Sequence, residues 1–238
     1  LSATLNQITK LQPNFISVWE FQAHNLSYNI SAEFDDYRYR YHWVKKGISF
    51  LTEGIEANAE NPRLLHNAGW ITGQKIGRAD EHVQFRELYR EDTDFHEELA
   101  QEVPIDDAKG YDARPDSWLT SRLWYLRAYQ SNVPLKGKSP LIFYADGPMS
   151  LINYSSTIEE EGRLDQDARF AWRDAKEAWA KFGTLPIPTS WGHNVRLGEY
   201  AVINEEIDQM KATLEELAPG VRDKLYQERV ATLTDAQR

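Results

Sequence analysis

The residues able to do chemistry are few, and their spacing says as much as their types. Six histidines stand at positions 24, 42, 66, 82, 96 and 193. A metal site needs three or four converging ligands, with a spacing such as His-x-x-x-His on one helix face, and no two of these histidines are so placed. Asp92 and His96 are four apart in an acidic stretch with Glu91 and Glu97, a pattern that reads as solvated helix surface with local pairing. The carboxylates of Glu159, Glu160 and Glu161, and of Glu215 and Glu216, are neighbours in sequence. Adjacent residues on a helix point in different directions, so these runs do not converge on a substrate. Ser190 and His193 are close together without a third group to make a triad. The chain has no GxSxG elbow, no GxxxxGK[ST] loop and no GxGxxG turn. It also has no cysteine, which excludes disulfides, thiolate metal sites and cysteine nucleophiles together. The sequence thus implies no catalytic residue, no cofactor and no metal.

A different set suits recognition. Glu20 and His24 fall in one segment, and Arg63, His66 and Trp70 fall in another. They combine ring, cation and carboxylate, and Trp and Arg are the types most enriched at binding hot spots. Such a mixture fits a peptide or protein segment. The net charge of −10 argues against a nucleic-acid backbone or an anionic membrane as the partner. No run of eighteen apolar residues is present, so nothing in the sequence is expected to insert directly into a bilayer.

The elements that must position these residues are helical almost throughout. Phe15, Val18, Trp19, Gln22, Ala23 and Leu26 recur at three- and four-residue steps. Trp43, Gly47, Ile48, Leu51, Gly54 and Ile55 form the inward stripe of a second helix, running to about Asn58. Asn61-Pro62 marks a stop and a start, because proline is tolerated in a first turn and not in a helix interior. Leu65, Ala68, Gly69, Thr72 and Ile76 continue the pattern to Gly77, and a fourth helix is expected from Asp80 to Val103. Residues 104–116 read as a loop, 116–132 as a helix, and 134–148, with three prolines and two glycines, as the least helical stretch. Helices follow near 148–161 and 165–182. Residues 183–200 could hold a short extended segment. A tail helix near 199–217 is stopped at Ala218-Pro219-Gly220, and a last one starts at Val221 and reads on through 234–238. Trp19, Trp172 and Trp179 fall at core spacings.

Two antiparallel helices need small residues where their axes approach and bulky ones beside them. Leu151, Tyr154 and Ser155, then Gly162 at a turn, then Ala168, Trp172 and Ala175 meet that need at the spacing of a tetratricopeptide repeat. Trp19 and Ala23 with Gly47, Leu51 and Gly54 resemble a second copy, lengthened by about a dozen residues. Leu65, Ala68 and Gly69 resemble the first helix of a third. In its second helix His82, Arg86 and Tyr89 take the small positions, which implies a wider or shifted crossing. The chain therefore resembles a divergent tetratricopeptide-repeat protein. The phrases around Trp19–Tyr28 and Asn61–Gly77 also resemble long bacterial proteins that carry repeats behind a membrane anchor.

The resemblance implies an all-α fold of antiparallel helical hairpins stacked as a short solenoid, with irregular loops and a helical tail. The expected parts are two divergent hairpins over 1–103, a loop-rich linker with one helix over 104–147, a repeat over 148–183, and an extended loop with helical tail over 184–238. The concave wall of such an array is the usual ligand surface, and Glu20, His24, Arg63, His66 and Trp70 are expected to line one groove there. The function implied is a non-catalytic scaffold for a peptide or protein. The alternatives are a structural subunit of a large bacterial assembly, or an enzyme of unfamiliar type with its site under 183–200. The chain starts at Leu1 without Met, reads as part of a longer or processed polypeptide, and would sit at the cell envelope if an upstream segment supplied an anchor.

Overall fold

Five helix starts in this chain are set by side chains that hold the first free backbone N–H groups. Asp36, Asn61, Asp92, Asp116 and Asp165 each accept from the backbone of the turn that follows. The computed structural model describes residues 7, 11–79, 81–189 and 192–233, and 73% of them are helical, with almost no sheet. The fold is all-α. The expected start at Asp80, the Ser190 position and the end at 234–238 lie outside the described residues.

The helices are α1 (Ile16–His24), α2 (Tyr37–Ala57), α3 (Pro62–Trp70), α4 (His82–Glu91), α5 (Thr93–Leu99), α6 (Ser117–Tyr129), α7 (Pro140–Glu160), α8 (Gln166–Gly183), α9 (Tyr200–Leu217) and α10 (Val221–Ala231). A two-residue pairing of Ile187–Pro188 with Asn194–Val195 lies in the segment expected to be extended. Helices α1 and α3 each run on into a π-helical turn, Asn25–Ile30 and Ile71–Ile76. The same irregularity thus recurs at matching places, 46 residues apart.

Close packing follows the glycines. A Cβ on Gly47 would fall 2.8 Å from the Ala23 carbonyl oxygen, and one on Gly54 would meet the Trp19 ring at 2.8 Å, so α1 and α2 approach as the small–large–small spacing implied. Helix α3 and its π turn present Gly69, Gly73 and Gly77 at four-residue steps. Their hypothetical Cβ atoms meet Tyr125, then Ser121 and Trp118, then Trp118 again, which is the order of an antiparallel neighbour. That neighbour is α6. On α4 the positions expected to be small hold Arg86, paired with Glu160 and Glu161, and Tyr89, bonded to Thr120. Ser121 Oγ fixes the register by donating to the Gly69 carbonyl at 2.8 Å.

Three features depart from the expected elements. The fourth helix breaks at Asp92, whose carboxylate caps α5 at Phe95 N and also accepts from Lys45 Nζ at 2.5 Å. Trp172 is 37% exposed; its indole N–H donates to Glu159 at 2.8 Å, and Ala171 is buried on the inner side instead. Helix α7 starts at Pro140, two turns earlier than its prolines suggested, and carries Pro148 in its interior. A proline there leaves the carbonyl four residues back without a donor. The Tyr129 hydroxyl donates to that carbonyl, of Tyr144, at 3.2 Å and accepts from Gly147 N at 2.8 Å. Tyr129→Phe is expected to destabilise the fold by about 1–3 kcal/mol, since it leaves the Tyr144 carbonyl without that donor. A shift in the urea midpoint with an unchanged slope would register the loss.

Candidate functional site

Helix α3 places Arg63, His66, Asn67 and Trp70 on successive turns of one side, anchored by the Asn61 cap and by burial of Leu64, Leu65 and Ala68. Glu20 of α1 reaches this side and bonds both the Arg63 guanidinium and Asn67 Nδ2, the latter at 2.7 Å. His24, one turn on, is exposed and stacks on Tyr28 with ring centroids 4.6 Å apart. Burial pushes the Tyr28 hydroxyl up and the Trp70 side chain opposes this, and Lys75 Nζ lies 5.2 Å from the centre of the Tyr28 ring. Trp70 remains 41% exposed. Four of the five expected residues therefore share one accessible face.

His66 lies beneath that face, only 3% exposed. The loop before α7 and the first turns of α7 cover it. Its Nε2 is 2.6 Å from the Asp146 carboxylate and its Nδ1 is 2.9 Å from Lys138 Nζ. An ammonium can only donate, so Nδ1 accepts and Nε2–H donates to Asp146. Phe143 stacks on the imidazole at 5.5 Å. Burial pushes the His66 imidazole below the usual histidine range, the bond to Asp146 opposes this, and the positive charge of Lys138 adds to it. Burial also pulls the Lys138 amine down, against the fields of Glu20 and Asp146. The arrangement holds a neutral imidazole between a cation and an anion, and thereby ties loop 131–139 to α3.

A cavity of ≈ 280 Å³ opens beside this network, lined by Asn67, Trp70, Lys138, Ile142, Phe143 and Asp146 among others. Its walls offer an indole edge, an isoleucine and polar groups that are mostly already paired. That suits the capture of an apolar side chain with a polar flank. Lys138, Asp146, Ile142 and Tyr28 escaped the sequence reading. Ser139-Pro140 was the available signal, a proline at the first helical position that would have put Phe143 and Asp146 on one face.

No group of three or more metal-ligating side chains is found among the described residues. His96 is buried against the Tyr89 ring at 5.0 Å, and burial lowers its pKa. Among the described residues no helix is long and apolar enough to cross a membrane.

A histidine lowered in the folded chain binds fewer protons than its unfolded counterpart, which titrates near pH 6.5. Stability from His66 is thus present above that pH and lost as pH falls through and below it. His96 contributes with the same sign. Melting temperatures are expected to drop between about pH 7 and about pH 5, and His66→Asn is expected to flatten that slope. An equally steep slope in His66→Asn would assign the effect to His42, His96 and the carboxylates.

Comparison with family models, with curated proteins and with solved structures finds no match to this chain.

Proposed function

We propose that this chain is a non-catalytic scaffold that holds a peptide or protein segment across the face built by α1, α3 and the start of α7. Trp70 is the observation that carries the reading. It is a large ring left 41% exposed on a helix whose other side is locked in the core, beside a cavity of ≈ 280 Å³. Rigid aromatic anchors of this kind carry most of the energy of protein interfaces, and the surrounding paired charges exclude water and set register. Glu20, Arg63, His66, Asp146 and Lys138 serve as that fixed surround, and His24 with Tyr28 extends the surface. The net charge of −10 favours a protein partner over a nucleic acid.

The tetratricopeptide-type reading supports the same surface. The matched π turns of α1 and α3, and Ala23 and Gly69 at matched close contacts, are what two diverged copies of one unit would retain. Successive first helices of such units turn the same side to the ligand, and Glu20 with His24 and Arg63 with Trp70 hold those positions.

Selection of a random peptide library on the immobilised chain tests the proposal. A convergent sequence is expected, with an apolar residue flanked by polar ones. Trp70→Ala is expected to weaken the selected peptide by roughly 30-fold, equivalent to about 2 kcal/mol, with an unchanged thermal melt. Full affinity in Trp70→Ala would put the binding surface elsewhere.

A further inference from the structure

The body of the fold ends at α8, and α9 lies against little more than the 3-10 turn Leu197–Glu199 that leads into it. None of its 18 residues is buried. Tyr200, Ile203, Ile207, Met210, Leu214 and Leu217 are nonetheless large and apolar, and they are exposed by 41% to 79%. Their spacing alternates three and four without a fault. That is the 3.5-residue period of a coiled-coil seam, with Tyr200, Ile207 and Leu214 at a and Ile203, Met210 and Leu217 at d. A helix destined for a globular core carries a wider stripe that also takes in e or g. Here the e and g places hold Asn204, Glu206, Lys211 and Thr213, so the seam is narrow and polar-edged.

We infer that α9 pairs with α9 of a second copy of this chain, parallel and in register, to form a two-fold dimer. The charges choose the occupant. In a parallel pair the g residue of one helix meets the e residue five places on in the other. Glu206 then faces the second copy's Lys211, and symmetry supplies the contact twice. An antiparallel pair sets g against g and e against e, which leaves Glu206 opposite Thr213 and Lys211 opposite Asn204 with no complement. Within its own chain Glu206 makes no ion pair among the described residues, while Lys211 donates to the exposed Asp208 at 2.8 Å and can be shared. The seam stops at Leu217, where Ala218 and Pro219 lead to Gly220 at φ +70° and the chain departs into α10. At 1.5 Å per residue it is about 27 Å long, which sets a reversible dimer rather than a permanent one. The inference is independent of the Trp70 face.

Sedimentation equilibrium of the whole chain over a wide concentration range is the test. A monomer–dimer equilibrium is expected. Ile207→Asp combined with Leu214→Asp should abolish the dimer with the thermal melt of the body unchanged. Glu206→Lys should weaken it at least about five-fold by making two like-charge contacts, and adding Lys211→Glu should restore it. Met210→Cys, the sole cysteine in the chain, should oxidise to a disulfide-linked dimer, because parallel d residues face each other. A monomer at every concentration, a dimer indifferent to Ile207→Asp with Leu214→Asp, or a Glu206→Lys with Lys211→Glu chain no tighter than Glu206→Lys alone would each overturn the inference.

Discussion

Arg90→Met is expected to cost the fold about 3–5 kcal/mol. Arg90 sits on α4, is 7% exposed, and bonds both oxygens of Glu161 at 2.9 and 3.0 Å, at the far end of α7. Asp116, the buried cap of α6, lies 3.5 Å from the same guanidinium. Tyr111 closes the cluster: its hydroxyl donates to Glu161 at 2.8 Å and its backbone N–H donates to the Tyr154 hydroxyl at 2.9 Å. Arg90 thus links α4, the loop before α6 and the end of α7, with Arg86 beside it 3.7 Å from the same Glu161. Burial pushes the Asp116 carboxyl upward, and the Arg90 charge is what opposes this most. Removing the cation leaves the buried Asp116 carboxylate uncompensated, which is the costly way to break a buried pair, while Glu161 keeps Arg86 at 3.7 Å. Arg90→Lys keeps the charge, loses the guanidinium's simultaneous reach to Asp112, Asp116 and Glu161, and should fall between. A urea midpoint for Arg90→Met matching the native chain would show that the cluster is solvated and contributes nothing.

Trp118→Ala carries the second large effect, again about 3–5 kcal/mol, from lost burial and the cavity left behind. The Trp118 ring covers Gly73 and Gly77, where added Cβ atoms would lie 2.8 and 2.6 Å from it, and its other side packs with Tyr154, Ile158, Ala168 and Ala171. It joins α3 to the α7–α8 pair. The same contact makes a double-substitution cycle informative. Gly77→Ala alone is expected to destabilise by overpacking, about 1–3 kcal/mol, and to cost much less once Trp118 is Ala, because the nearest atoms to an added Cβ there all belong to Trp118. Additive losses would mean that the α3–α6 contact is looser than the glycine ladder implies.

Much of this architecture was legible from local chemistry. The caps at Asn61 and Asp165, the stop at Ala218-Pro219-Gly220 and the small residues at Gly47, Gly54 and Ala168 all act within a turn or two of their own positions. What escaped depends on residues far apart in sequence. Pro148 reads as a helix breaker until Tyr129, on another helix, supplies the missing donor. Asp92 reads as one acid in a solvated run until Lys45 and the Phe95 N–H are seen to share it. Gly69, Gly73 and Gly77 announce a close neighbour, yet nothing local says that it is α6, beyond two intervening helices. The candidate face divides in the same way. Periodicity put Trp70 and His24 outside, but His66 is covered by loop 131–139 and α7, a segment whose prolines and glycines concealed a helix.

Trp70 and its surroundings are proposed to form the docking face. Fluorine NMR of chain labelled with 5-fluorotryptophan tests it most directly, with the Trp70 signal assigned by its loss in Trp70→Phe. On titration with a peptide selected against the native chain, the Trp70 resonance should shift to saturation while those of buried Trp118 and Trp124 stay in place. A Trp70 resonance that holds still while the peptide binds and another indole moves would contradict the claim.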